Sequence, residues 1–266
     1  MNGKYRRVIV LVLLTLLTGC SAFHQSTQRP DKRAQSQSEL ESGDLRIASS
    51  ALQSGDFTMA MSIYSRLAQS NPDVAAVWLG LADAHFLQGE FGAANNAYVK
   101  AQHLEPENIN AWLGPARILV RQRHLSEAVA RYQSILTRFP NNARALSGLG
   151  VSYDLSGDHR LAQSTYRRGL QIYPDDSALR SNLGLSLALD GKPRDAINTL
   201  LGAGGISGKL PQERDNLALA YGMLGRDDAA EDILMSTQSQ DRVQDNLAFY
   251  HYLRQNMGQP GVGGDE

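Results

Sequence analysis

The chain has 266 residues, and its 26 bases and 27 acids leave a net charge of −1. That length exceeds what a small stapled domain needs and supplies material for a continuous core. Near-cancelling charge excludes the basic stripe with which a nucleic-acid binder displaces phosphate counterions.

The first twenty residues read as an address rather than as fold. Lys4, Arg6 and Arg7 form a basic start, and Val8 to Leu17 is apolar except for Thr15, too short for a permanent membrane span. The run ends in Leu17-Thr18-Gly19-Cys20, and Cys20 is the single cysteine of the chain. This resembles the bacterial lipobox, which implies that residues 1–19 are a signal peptide and that Cys20 is diacylated on sulfur and becomes the mature N-terminus. The plainer alternative is an ordinary secretory signal in which the cysteine stands by coincidence. Secretion agrees with the lack of any other thiol. Ser21, in place of Asp, implies by resemblance to the sorting rule of enteric bacteria an outer-membrane lipoprotein, lipid-anchored at the periplasmic face. The covalent diacylglycerol and fatty acyl lipid is the one non-protein group expected, with no cofactor and no metal.

Residues 20–40 are rich in Ser and Gln with little apolar content, so they are expected as a lipidated cysteine and flexible tether. From Glu41 one spacing dominates. Alanine recurs every 34 residues at Ala60, Ala94, Ala128, Ala162, Ala196 and Ala230, with tyrosine four further on at Tyr64, Tyr98, Tyr132 and Tyr166. Glycine precedes it at Gly55, Gly89, Gly157, Gly191 and Gly225, with Arg123 in the third unit. This period and signature resemble the tetratricopeptide repeat. The implied fold is an all-α superhelical solenoid of six helix pairs, 41–74, 75–108, 109–142, 143–176, 177–210 and 211–244. Small residues let paired helices approach, glycine supplies a left-handed turn, and Pro72, Pro106, Pro140 and Pro174 end the second helices. Pro115 lies where leucine is usual and predicts a kink or a shifted helix start, at a cost of about 3 kcal/mol in a helix interior. Gly202 to Gly208 replaces the end of the fifth unit and predicts a flexible joint across which the sixth unit still stacks. Residues 245–257 read as a capping helix that covers the last open face, and 258–266 as a disordered Gly-rich tail.

No motif carries catalytic chemistry. HExxH, Gly-x-Ser-x-Gly, a phosphate loop and a Cys/His ligand cluster are all missing from the sequence, and the chain is not expected to be an enzyme. His85 and His159 occupy aromatic positions of the repeat and read as packed side chains. Asp227 and Asp228 open a helix and favour its dipole. The surface remains. First helices of such repeats line a concave face, which assigns protein binding to Leu79, Asp83 and Phe86 of the second unit. Asn110, Leu113, Arg117 and Arg121 of the third and Arg144, Val151 and Asp154 of the fourth complete the set. Apolar anchors flanked by charges suit a helix or an extended peptide, and Arg117, Arg121 and Arg144 suit a carboxylate or acidic peptide; the alternative is a merely solvated face. No nucleic acid and no small-molecule substrate is expected.

Three C-terminal runs, Asn182-Leu183-Gly184-Leu185-Ser186-Leu187-Ala188-Leu189, Asn216-Leu217-Ala218-Leu219-Ala220-Tyr221-Gly222 with Leu224-Gly225-Arg226, and Asn246-Leu247-Ala248-Phe249-Tyr250, join the lipobox and the six repeats. Together they resemble the TadD family, repeat lipoproteins of the tight-adherence (Flp pilus) secretion apparatus. The resemblance implies a pilotin-like scaffold that helps the secretin of that apparatus reach or assemble in the outer membrane. A pilotin of type IVa pili and an adaptor recruiting cell-wall hydrolases are the alternatives from the same architecture.

Overall fold

A computed structural model describes residues 32–202 and 211–256, with side chains from Gly43 onward. The signal peptide, Cys20, the tether up to residue 31, the Gly-rich stretch from 203 to 210 and the tail lie outside the described residues. The chain divides into two units, Met1–Asp44 and Leu45–Glu266. Of the first, the described part is the opening of helix α1 (Lys32–Ser54). Residues 32–40, expected as flexible tether, are thus helical. They contain no glycine or proline and are built mainly from good helix formers, so propensity prevails where apolar content is low.

In the second unit α1 is followed by α2 (Phe57–Ser70), α3 (Ala75–Gln88), α4 (Phe91–Leu104), α5 (Ile109–Arg121) and α6 (Leu125–Arg138). Then come α7 (Ala143–Leu155), α8 (His159–Ile172), α9 (Ser177–Leu189), α10 (Pro193–Leu201), α11 (Pro211–Met223), α12 (Asp227–Met235) and α13 (Gln240–Asn256). These are six helix pairs and a final helix, all α among the described residues. Within each pair the turn glycine is left-handed, with φ between 71° and 85° at Gly55, Gly89, Gly157, Gly191 and Gly225. Arg123 takes the same conformation at φ 63° without the freedom of glycine. Between pairs, the second helix stops one residue before each proline's predecessor, and the next unit ties the turn down. Trp78 and Trp112 donate their indole N–H to the carbonyls of Pro72 and Pro106, both at 2.8 Å, and Arg180 donates to Pro174 at 2.9 Å. Leu146 offers no donor at the corresponding place, and Arg168 supplies one to Pro140 at 2.6 Å.

Close approach explains the small residues. All six periodic alanines are 0% exposed, so each sits where a larger side chain has no room. Tyr64, Tyr98 and Tyr132 lay their rings on Gly80, Gly114 and Gly148 of the following unit, where a Cβ would stand within 2.4 Å of the ring in every case. At the next two junctions asparagine replaces that glycine, and the linkage changes. Asn182 donates to the Ser147 hydroxyl at 3.0 Å, and Asn216 to that of Ser181 at 2.8 Å. First helices of successive units touch (α3 with α5, through to α11 with α13), whereas among the described residues no second helix touches another. The first helices therefore line the tighter, inner face.

Pro115 is absorbed without the expected shift of the helix start. Helix α5 begins at Ile109, the repeat position at which α3 and α7 begin, and runs unbroken to Arg121. The Asn108 side chain accepts from the Asn110 N–H at 3.1 Å and sets the start, so the proline falls beyond the first turn and removes one helical hydrogen bond. Helix α11 packs on α9 and α10, so the sixth unit stacks across the Gly-rich stretch. The final helix begins at Gln240 rather than at 245, because α12 stops short at Met235. Val243 and Tyr250, seven residues apart and hence on one face, are its buried anchors. Tyr250 lies against Gly222, while Arg254 donates to the Gly222 carbonyl and pairs with Asp227 at 3.0 Å.

Candidate protein-binding face

Six of the ten residues assigned to the concave face, Leu79, Asp83, Asn110, Leu113, Arg117 and Arg144, line one groove of about 400 Å³ running over α3, α5 and α7. The 34-residue period brings them together. Asp83 and Arg117 occupy the same position of consecutive units, and stacking sets them 3.4 Å apart. Phe86 stays outside the groove, and its ring lies 4.5 Å under the Arg117 guanidinium, which holds that cation in place. Arg121 is exposed and does not reach the groove, so the expected three-arginine stripe reduces to Arg117 and Arg144. Val151 packs half-buried against the core.

Asp154 is not available as a binding group. Its carboxylate accepts from the Tyr166 hydroxyl at 2.9 Å and the Ser186 hydroxyl at 2.6 Å, and His159 Nδ1 lies 2.8 Å away. It ties the fourth unit to the fifth. A carboxylate so engaged has little left to offer a partner. His159 is therefore packed as expected, and His85 likewise pairs with Glu90 at 2.6 Å.

Tyr98 and Tyr132 complete the groove, and reading the sequence missed them because both belong to a series with an evident packing role. The Tyr98 hydroxyl donates to Asp83 at 2.5 Å. Burial, followed by the charge and hydrogen bond of Asp83, raises its pKa, with Arg117 pulling the other way. Burial pushes the Tyr132 phenol up to about 12 against a smaller pull from Arg117. Both hydroxyls remain protonated donors at neutral pH. The two groove aspartates are occupied, Asp83 by Tyr98 and Arg117, and Asp176 by the Leu179 N–H at 2.9 Å, where it caps α9. Arg144 has no hydrogen bond or ion pair among the described residues. The groove thus has apolar walls at Leu79 and Leu113 and a surplus of unmet donors, which suits a peptide bearing an acceptor.

Among the described residues no three His, Cys, Asp or Glu side chains stand together as metal ligands, and no helix is long and apolar enough to cross a membrane.

Stacked helix pairs with an open inner groove define a helical-repeat scaffold of the protein-binding class. Residues 45–109 and 113–177 match the tetratricopeptide-repeat family, and this chain is a tetratricopeptide-repeat solenoid. Its fold is similar to PilW, a widely conserved type IV pilus biogenesis factor, with a TM-score of 0.64 and 17% identity over 79% of this chain and 97% of that one. Pseudomonas aeruginosa PilF follows with 0.60 and 17%, over 80% and 98% of the two chains. A chain of the APC/C hetero-tetramer Cut9–Hcn1 gives 0.62 and 22% over 79% of this chain; the match spans 42% of that chain's length. At these identities the likeness is one of fold. No curated protein matches the sequence.

Proposed function

We propose that the chain is a lipid-anchored outer-membrane scaffold that binds a protein partner and assists assembly or localisation of the secretin of the Flp (tight-adherence) pilus apparatus. The observation that carries the binding role is the groove, with fixed Arg117, unpartnered Arg144 and the Tyr132 hydroxyl above apolar walls. The lipobox around Cys20 supplies the address, and the C-terminal runs that resemble the TadD family supply the secretin as partner. Near whole-length similarity to PilW favours a second reading, a pilotin of type IVa pili. Deleting the gene and blotting outer-membrane fractions for secretin multimers separates the two. Loss of the Flp secretin multimer supports the first reading and loss of the type IVa multimer the second. If both multimers persist, the pilotin role is wrong. When the deleted gene is restored in its Cys20→Ser form, palmitate labelling is abolished, and labelling that survives removes the anchor.

A further inference from the structure

The third unit departs from its neighbours at three positions that meet in one place. Leu81, Leu149, Leu183 and Leu217 fill the same repeat position and are buried, whereas the third unit has Pro115, whose ring folds back on its own backbone. At the turn, Arg123 adopts a left-handed conformation that glycine supplies elsewhere. Arg131 stands where the other units have Ile63, Ala97, Thr165, Thr199 and Ile233. Its Nε is buried without a hydrogen-bond partner, and its guanidinium lies 5.7 Å from the Trp112 ring centre.

The shortened side chain at 115 leaves a cleft of about 460 Å³ between the second helices α4 and α6, over α5. Phe91, Pro115, Ile118 and Leu119 make it apolar, with Gln122 and Arg131 beside them. At 100° per residue, positions 115, 118, 119 and 122 form one stripe of α5, on the side opposite Leu113 and Arg117. The cleft is therefore separate from the inner groove. Residues 109–142 hold five arginines and a single acid, Glu127, and of the five Arg131 lines the cleft while Arg121 and Arg123 flank its Gln122. Arg117 and Arg138 pair with Asp83 and Glu107, but the exposed side chains of Arg121 and Arg123 have no ion pair or hydrogen bond among the described residues. A leucine at 115, as in the other units, would occupy part of this space, and at its edge Arg131 keeps a buried donor unmet.

We infer that this cleft is a second docking surface, which takes an acidic segment of a partner protein. An apolar side chain of that segment enters over Pro115, and its carboxylates face Arg131 and the arginines of the α5–α6 turn. Apolar walls select the anchor, and the uncompensated positive charge selects the flanking acids.

The test is fluorescence anisotropy on the full chain in detergent, with a fluorescein-labelled peptide in which one phenylalanine is flanked by glutamates. Pro115→Leu restores the residue of the other units and fills the cleft, so its melting temperature holds or rises while binding weakens about tenfold or more. Arg131→Gln weakens binding similarly, a change at exposed Arg167 of α8 (Arg167→Gln) leaves it unchanged, and a peptide with lysine for glutamate does not bind. The inference is overturned if the wild type does not bind the glutamate peptide, or if Pro115→Leu binds it as tightly. Loss of binding in Arg117→Glu alone would place the peptide in the inner groove and likewise overturn it. The secretin reading rests on the other face and is tested by the multimer blot, so the two fail separately.

Discussion

Replacing Gly80 by alanine sets two effects against each other. Alanine is favoured in a helix interior over glycine by ~1 kcal/mol. At this place, however, the added Cβ would stand 2.2 Å from both Cε1 and Cζ of Tyr64. Ordinary carbon contacts lie at roughly 3.5–4.0 Å, so the ring must retreat by more than an ångström. Tyr64 is 5% exposed and belongs to the cluster that joins the first two units, so it has little space to move into. Overpacking of this kind costs about 1–3 kcal/mol, and a clash this close belongs at the upper end. The expected net loss is about 2 kcal/mol, which lowers the melting temperature by about 4–8 °C in a body of this size. Stability in a stacked array is carried by nearest-neighbour interfaces, so hydrogen exchange should quicken first in α2 and α3. Adding Tyr64→Leu removes the ring end and should recover part of the loss, a coupling that a double-mutant cycle reads directly. A Gly80→Ala protein that melts at or above the wild-type temperature would refute the ring-on-glycine packing.

Arg123→Gly relieves a left-handed backbone that costs a side-chain-bearing residue roughly 1–2 kcal/mol, so the chemical-denaturation midpoint should rise. A midpoint that falls would show that the arginine side chain contributes more than its backbone costs. At the C-terminal end, the Arg226 hydrogen bond and the backbone N–H of Ala229 lower the Asp228 pKa to about 2. A carboxylate with a depressed folded pKa stabilises the fold above its unfolded value of ~3.9 and loses that contribution as pH falls through the folded one. The support around α12 should therefore fade between about pH 4 and 2. Asp227, lowered chiefly by its Arg254 hydrogen bond, acts in the same direction. Carboxyl NMR titration checks this, because Arg226→Ala should return the Asp228 midpoint toward the ordinary aspartate range, and an unmoved midpoint would reject the pairing.

Much of the architecture is legible in the sequence because it depends on short-range rules. A turn glycine acts on its own backbone, and a proline ends the helix before it, so unit boundaries follow from local chemistry alone. Two edges depart from these rules. Low apolar content predicts a tether over residues 32–40, which are helical, and the final helix begins ahead of 245 because α12 stops at Met235. In the groove, the repeat period identified six lining residues, since equal positions in consecutive units must fall on one face. The hydroxyls of Tyr98 and Tyr132 were hidden because a packing residue and a groove donor look alike in sequence.

The sequence by itself determined the six-unit helical stack, its inner face and the small residues where helices meet, because a 34-residue period repeats the same local instructions. Only the tertiary structure decided which of those side chains remain free. Asp83 and Arg117 satisfy one another, Asp154 is consumed by Tyr166, Ser186 and His159, and Arg144 is left open. Those outcomes depend on distances between side chains 5 to 34 residues apart, which the packing of helices sets. The cleft over Pro115 belongs with them, for a missing leucine becomes a surface only when its neighbours stand around the space it leaves.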